Sequence, residues 1–531
     1  MRRRAVIIGG GPNGLTAATA LAQHGGRNAW DVTLVEGRAN LGGLAAHREF
    51  HPGFFAPGPL ADTSRFSPAL AAELHLERHG LSFKGGQRGG LIAPGPAHPS
   101  IWIDPDDEAA TTRSIAAICP ADADAYRAFR GLIERLTPPV ASLFNGPLPP
   151  AVPADPGDWL SLVGHAARLR RLSDRDIFEL LRLIPLPVAD WMDSTFETPA
   201  LQAGLAHAGI VDTFLGPRSA GSSATLLLLA TTSGASVEGG AGALLAALTA
   251  AASAAGANLR TDCAAAGIEV SAGRVSAVTL EDGTSLAADA VLLACHPGAG
   301  LLELISPRQL DSELAQAVQN HRSRGTAATL HLALDSLPAP FGQAAIAGAA
   351  HVTRLRTSPS LEQLELSFNG IRYGELPESP ALAVSAPSAR GEVTATGEPL
   401  APAGAALLSI HASFVPHDGW TAERRTALEA TILKTLAPSI PDLAEHILAS
   451  HLVTPADLEA EFNLPGGNPH HGEHALDQLL GLRPAPDLDR LPGGLLLASG
   501  GTHPGGGLTG IPGSLAASAA SAAPRAKSSR A

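Results

Sequence analysis

An apolar strand at Ala5 to Ile8 runs directly into Gly9, Gly11 and Gly14, then into an alanine-rich helical stretch, a second strand at Val32 to Val35, and Glu36. That order constrains the chain more than any other feature, because strand, glycine turn, helix and strand open a parallel βαβ unit. Gly9 permits the tight turn, Gly11 lets a pyrophosphate approach the backbone, and Gly14 lets helix and strand pack closely. The helix N-terminus offers amides to an anion, and Glu36 is placed to accept the hydrogen bonds of a ribose diol. With 57 glycines in 531 residues, Gly-x-Gly-x-x-Gly arises by chance roughly 0.6 times in such a chain, so the letters alone decide nothing. The context decides: four apolar residues before, Leu15, Ala18, Leu21 and Ala22 at helical spacing after, and an acid 22 positions beyond Gly14. A dinucleotide site is expected, rather than a turn that serves packing alone.

The length exceeds what one ordinary core accommodates, so two domains are expected. Hydrophobic residues at 45% and charged residues at 16% fit a globular enzyme, and a net charge of -13 argues against nucleic acid as a partner. Cys119, Cys263 and Cys295 are far apart and form no Cys-x-x-Cys pair, which excludes a dithiol centre and fits a reducing compartment. The basic start Met1-Arg2-Arg3-Arg4 is followed by only four apolar residues before the glycine turn, too few for a signal peptide. A cytoplasmic chain is expected, with at most peripheral membrane contact.

Beyond Glu36, Gly42-Gly43 can bring further amides to the same phosphates. Helical patterns follow at Pro68 to Leu76, Ala121 to Leu136 and Ser173 to Ile184, with a loop over Gly146 to Pro156, and suggest an inserted cap. Phe178, Leu180, Leu181, Leu183 and Ile184, with Trp191, read as core. Gly239, Gly240 and Gly242 lead into a helix at Leu244 to Ala255. A strand-like Asn258 to Asp262 and a meander from Ile268 to Leu280 turning at Asp282-Gly283 come next. The apolar Ala290 to Ala294 can rejoin the sheet begun at residue 5. Ala327 to Leu334, Leu361 to Phe368 and Ala405 to Val415 read as strands of a second sheet, and Leu495 to Ala498 as a last strand before Gly500 to Gly507 and a small-residue helix. Gly505, Gly507 and Gly510 repeat the glycine spacing, but no βαβ unit follows, so a second nucleotide is not expected. That helix instead directs its N-terminal dipole at the dinucleotide already bound. The last residues, 521–531, read as a disordered tail.

These segments together, GGGPNG with Glu36 and Gly42-Gly43, GGAGALLAAL at 239–248, EDGTSLAADAVLLACHP and GGTHPGGGLTGIPG, resemble the phytoene desaturase superfamily of FAD-dependent oxidoreductases over nearly the whole chain. FLGPRSAGSS at 214–223, HGEHALDQLLGLRPAP at 471–486 and GTHPGGG at 501–507 most resemble two of its branches. One is the branch of pyridine nucleotide-disulfide oxidoreductase domain proteins of unsettled substrate; the other is the carotene ketolases. The resemblance implies the α/β fold class with an α+β substrate domain: a discontinuous Rossmann-like FAD domain at 1–63, 235–300 and 486–520, and a substrate domain of mixed β-sheet and helical cap at 64–234 and 301–485. It implies noncovalent FAD held by Gly9, Gly11, Pro12, Asn13, Gly14, Glu36, Gly42, Gly43, Gly501 and Gly510, and a lipophilic small-molecule substrate. The chain departs from the family pattern at Leu44, where a basic residue is usual, at Ser236-Val237-Glu238, where an aromatic-Pro-basic lead is usual, at Ser499, where glycine is usual, and in a longer loop before Val32.

Flavin chemistry resides in the cofactor, so no loud catalytic motif is required. His503 and His471 are the candidates for moving a proton or polarising a substrate oxygen, against packing or a backbone hydrogen bond as their alternative role. His470, His471 and His474 lie in a glycine- and proline-rich stretch that reads as a loop rather than a ligand-bearing helix, so no metal is expected. Tyr126 and Tyr373 are the only tyrosines, which weakens an amine oxidase reading that needs paired aromatic walls. The leading expectation is desaturation, isomerisation or oxygenation of a hydrophobic, isoprenoid-like substrate. The rivals are an amine oxidase on the same fold and a flavin-binding protein whose role is interaction.

Overall fold

The apolar runs Ala5 to Ile8 and Ala290 to Leu293, buried on both faces, need cover on both sides, and a parallel sheet packed between helices and a second β-layer supplies it. The computed structural model describes residues 2–24, 29–85, 89–93, 99–144, 146, 163–164, 166–167, 170–230, 235–344, 349–357, 360–479, 482–483 and 490–522. Its first sheet has five strands in the order Leu495–Leu497, Ala290–Leu293, Arg3–Ile8, Trp30–Val35 and Asn258–Arg260, every pairing parallel. Ala5 to Ile8 pair with Ala290 to Leu293 in register, so segments nearly 300 residues apart share one sheet. On one face lie the helices Pro12–Gln23, Gly240–Ala254 and Ile511–Ala522, joined through Leu15, Leu21, Leu244, Leu248 and Ala517, all essentially inaccessible to solvent. The other face carries the three-stranded meander Ala265–Ser271, Arg274–Leu280 and Ser285–Ala287.

The second sheet has seven strands in the order Ile447–Val453, Ala327–Leu334, Ala406–Ser413, Leu382–Ser385, Arg354–Thr357, Gly90–Ile92 and Ile101–Ile103. It is antiparallel except between Arg354–Thr357 and Gly90–Ile92. Helices between Glu108 and Leu229 pack over it through a core that includes Tyr126, Phe129, Trp191, Met192 and Leu201.

Three readings of the sequence need correction. Leu361 to Phe368 is helix, not strand: Leu361–Ile371 is capped by Ser360, whose side chain accepts from Gln363 N at 3.2 Å, and it buries Leu361, Leu364 and Phe368 on one face. Phe178, Leu181 and Ile184 are not core; on and just after the helix Asp174–Leu183 they are 73%, 60% and 37% exposed, while Leu183 and Trp191 are buried. The last helix runs to Ala522, so a tail can begin only beyond it. Residues 25–28 of the longer loop, most of the stretch 146–156 and residues 523–531 lie outside the described residues.

Candidate functional site

The glycines after the first strand are held by geometry that only glycine allows at two of the three positions. Gly9 has φ +109, and a Cβ on Gly14 would stand 1.9 Å from Gly9 O. Gly11 is different: its backbone is extended, with φ -72 and ψ 179, and the nearest atom a Cβ would meet is Gly43 Cα at 3.9 Å. The space above Gly11 is therefore open to a ligand. Pro12 starts the helix, where its missing N–H costs nothing, and the following amides have no partner within the helix. Gly42, at φ +117, donates its N–H to Gly10 O at 2.9 Å, and Gly43, at φ +50, lies against Gly11. Glu36 accepts from Gly10 N at 2.7 Å through Oε2 and from Arg38 N at 3.0 Å through Oε1. Each carboxylate oxygen keeps further acceptor capacity for a diol.

The C-terminal glycines close on the same place. Gly510, at φ +69, stands where a Cβ would be 2.8 Å from Thr16 Oγ1, and a Cβ on Gly513 would be 2.0 Å from Asn13 O. The N-terminal turns of Pro12–Gln23 and Ile511–Ala522 thus meet, and two positive helix ends point to one region at the carboxyl ends of the parallel strands. Asn13 Oδ1 and Thr16 Oγ1 are buried there without a hydrogen-bond partner among the described residues. An orphaned acceptor, open space over Gly11 and converging amides fit the pyrophosphate and polar chain of a dinucleotide. Gly501 is packed against Pro297, and its N–H is taken by Ser499 Oγ at 3.0 Å. The serine that replaces the family's glycine therefore has a partner, and it also meets His471 Nδ1 at 3.2 Å. Leu44, in place of a basic residue, packs with Leu458 and Leu464.

His471 lies against Gly500 and Gly501, with its carbonyl accepting from His321 Nε2 at 2.8 Å. Burial, and then the neighbouring His470 and His321, push its pKa down to about 4, so it is neutral near pH 7. His503 is turned toward the cap: Nε2 donates to Gly146 O at 2.9 Å, which leaves Nδ1 a buried acceptor with no partner among the described residues. The structure brings His471 to the glycine segment and places His503 at its cap-side edge.

Sequence reasoning missed a half-buried polar cluster beside these histidines. Asp212 Oδ1 is 3.1 Å from His411 Nε2, and its Oδ2 is 3.6 Å from His470 Nε2. Burial opposes charge on both Asp212 and His411, yet their mutual attraction holds Asp212 well below the carboxylate range and His411 above the usual imidazole value. No spacing in the sequence signals a pair contributed by a loop and a distant strand. Also missed was a cleft lined by Asp62, Lys84, Glu238, Arg354, Arg390 and Glu392. Among the described residues, no group of three or more His, Cys, Asp or Glu side chains could hold a metal ion.

The buried histidines make stability depend on pH. Burial lowers His207 and His331 to about 3, and His47, His321 and His471 to about 4, against an ordinary 6.5. The unfolded chain therefore binds protons that the folded chain refuses, so stability present above pH 6.5 is lost as pH falls toward 4. His411 works in the opposite sense, losing its contribution as pH rises through its raised pKa, but it is one group against five. Thermal unfolding followed from pH 7.5 to 4.5 is expected to show a melting temperature that falls steadily below pH 6.5; a flat profile would contradict this.

A family model described as DAO, FAD dependent oxidoreductase, matches residues 4–519. The chain is 28% identical to the mouse (Mus musculus) pyridine nucleotide-disulfide oxidoreductase domain-containing protein 2, over 97% of this chain and 92% of that one. It is 26% identical to a lycopene-forming phytoene desaturase of a Paracoccus species over half of each chain. Its fold is similar to that of a putrescine oxidase with putrescine bound, at a TM-score of 0.58 and 16% identity over 98% of each chain.

Proposed function

We propose, for a chain that belongs to the DAO family of FAD-dependent oxidoreductases, an enzyme that oxidises a largely hydrophobic organic substrate beside an FAD held between its N-terminal and C-terminal glycine segments. The observation that carries the cofactor's placement is the meeting of two helix N-termini over a glycine whose Cβ direction is empty. In this reading, the amides after Gly11 and the Gly42-Gly43 turn hold the pyrophosphate, with Pro12 and Asn13 at the helix start. Glu36 holds the ribose, and the region from Gly501 to Gly510 holds the flavin end. When bound, FAD supplies a two-electron acceptor. The chain's own residues orient the substrate, exclude water and handle protons. His503 Nδ1, a buried acceptor, can take a proton from the substrate side, while neutral His471 fixes the glycine segment through Ser499.

The likeness to a phytoene desaturase over half of each chain supports a hydrophobic, isoprenoid-like substrate undergoing desaturation, isomerisation or oxygenation. The fold likeness to putrescine oxidase raises the amine alternative. Against it, Tyr126 is buried in the cap core and Tyr373 is 79% exposed on the surface. Neither tyrosine is available as an aromatic wall. Among the described residues, no helix is long and apolar enough to cross a membrane. The test is anaerobic titration of the yellow holoprotein with fractionated lipid extract and, separately, with primary amines and diamines. Flavin bleaching by a lipid fraction is expected. Bleaching by amines alone would favour the amine oxidase, and inertness to both would favour a role in interaction.

A further inference from the structure

Segment 61–66 has two sides. Its Arg65 Nη1 reaches Gly506 O at 3.4 Å, and Phe66 packs where a Cβ on Gly510 would meet it at 3.1 Å. Its Asp62 and Thr63 line the charged cleft, with Thr63 Oγ1 accepting Val237 N at 3.0 Å. The cleft therefore opens a few residues from the segment that touches the C-terminal glycines, beside the region proposed to hold the flavin.

The cleft's three acids and three bases sum to zero, but they are not all paired with one another. Arg390 is paired with Glu392. Glu238 Oε2 accepts from Ser82 Oγ at 2.9 Å, and Asp62 Oδ1 accepts from Ser64 N at 2.9 Å. Among the described residues, the guanidinium of Arg354 makes no hydrogen bond or ion pair. Burial, followed by repulsion from Arg390, lowers its pKa to about 10, while Asp62 and Glu392 oppose that shift. The second oxygen of Glu392 is buried without a partner beside Gly240, at the start of the helix Gly240–Ala254. Gly239 and Gly240 have φ +80 and +74, and a Cβ on Gly240 would stand 2.8 Å from Glu392 Cγ, so side chains are excluded from this wall.

We propose that this cleft binds the carboxylate of the substrate, with Arg354 as its principal partner and Arg390 beside it. Arg354 is half-buried in the cleft wall with no acceptor among the described residues, and its planar fork matches a carboxylate in bidentate fashion. Three acidic side chains in the walls favour a singly charged anion over a phosphate dianion, which they repel more strongly. The substrate is then a hydrophobic carboxylic acid. This rests on the function proposed above, because it assumes that the molecule held in the cleft is the one oxidised.

The experiment uses purified holoprotein with hexanoate, dodecanoate, their uncharged amides, and inorganic phosphate. Binding is read by calorimetry and by perturbation of the flavin spectrum. The acids are expected to bind more tightly than the amides, and Arg354→Met is expected to weaken acid binding about ten- to hundredfold while leaving amide binding and flavin content unchanged. Arg354→Lys, which keeps the charge, is expected to recover part of the loss and serves if the methionine variant does not fold. Equal binding of acid and amide, acid binding unaltered in both variants, or phosphate binding tighter than either acid would overturn the proposal. Acid binding that depends on Arg354, in a protein whose flavin no acid reduces, would sustain the cleft and remove the redox reading. A protein without flavin would fail the earlier reading while calorimetry still reports on the cleft.

Discussion

Gly11→Val is expected to yield a folded protein whose hold on FAD is markedly weakened. Valine adopts an extended backbone readily, and at φ -72 and ψ 179 the new Cβ meets nothing nearer than Gly43 Cα at 3.9 Å. The fold therefore has no reason to object. The branched methyl groups instead enter the space assigned to the pyrophosphate, and overpacking of about 1–3 kcal/mol there lowers affinity about ten- to hundredfold. Gly14→Ala gives the contrast. Its Cβ would stand 1.9 Å from Gly9 O, so the strand–helix junction itself must shift and stability falls whether or not cofactor is present. Flavin absorbance per chain, with the melting temperature of each apoprotein, separates the two. If Gly11→Val retained FAD at wild-type affinity, the pyrophosphate would have to lie elsewhere.

The second large effect is expected at Glu473. Its side chain is 3% exposed and is held by Arg324 Nε at 2.6 Å and Arg322 Nε at 3.2 Å. Arg322 also pairs with Asp477 at 2.7 Å, and Arg324 lies over the Phe214 ring at 3.6 Å. The Glu473 carbonyl accepts from the buried Arg483, which donates in turn to Gly500 O at 3.0 Å. The carboxylate thus ties the HGEH segment to the entry of the strand Ala327–Leu334, while the backbone carbonyl of the same residue, through Arg483, links it to the C-terminal glycines. Glu473→Ala leaves two guanidinium groups facing a buried gap and is expected to cost about 3–5 kcal/mol, toward the lower end because both arginines keep access to water. Glu473→Gln, which keeps the shape and one acceptor, costs less. Denaturant unfolding checks this, and a loss below about 1 kcal/mol for the alanine variant would show that the network carries little weight.

What was legible in the sequence was what local pattern encodes. The strand, glycine turn, helix and acid from Ala5 to Glu36 are consecutive, and each residue type answers a local demand of backbone or anion. The parallel return of Ala290–Leu293 was readable because a short, wholly apolar run needs burial on both faces. Leu361 to Phe368 was misread because leucines at 361, 364 and 366 with Phe368 fit both periods. Leu366 is 65% exposed, and the buried face at 361, 364 and 368 follows the helical spacing, set by a serine cap just outside the run. Phe178 and Leu181 misled because hydrophobicity alone was taken to mean burial. The polar pairs were beyond reach for another reason. Asp212 with His411, and Arg324 with Glu473, belong to elements far apart in sequence, and no local preference marks such partners before the fold brings them together.

The central claim is that the converging glycine segments hold FAD. Acid release of cofactor from the purified native chain, followed by chromatographic identification and quantification, tests it most directly. The account predicts FAD equimolar with the native protein and well below equimolar in folded Gly11→Val after dilution. FMN or a nicotinamide nucleotide in its place, or failure of the native chain to take up FAD from excess, would contradict it.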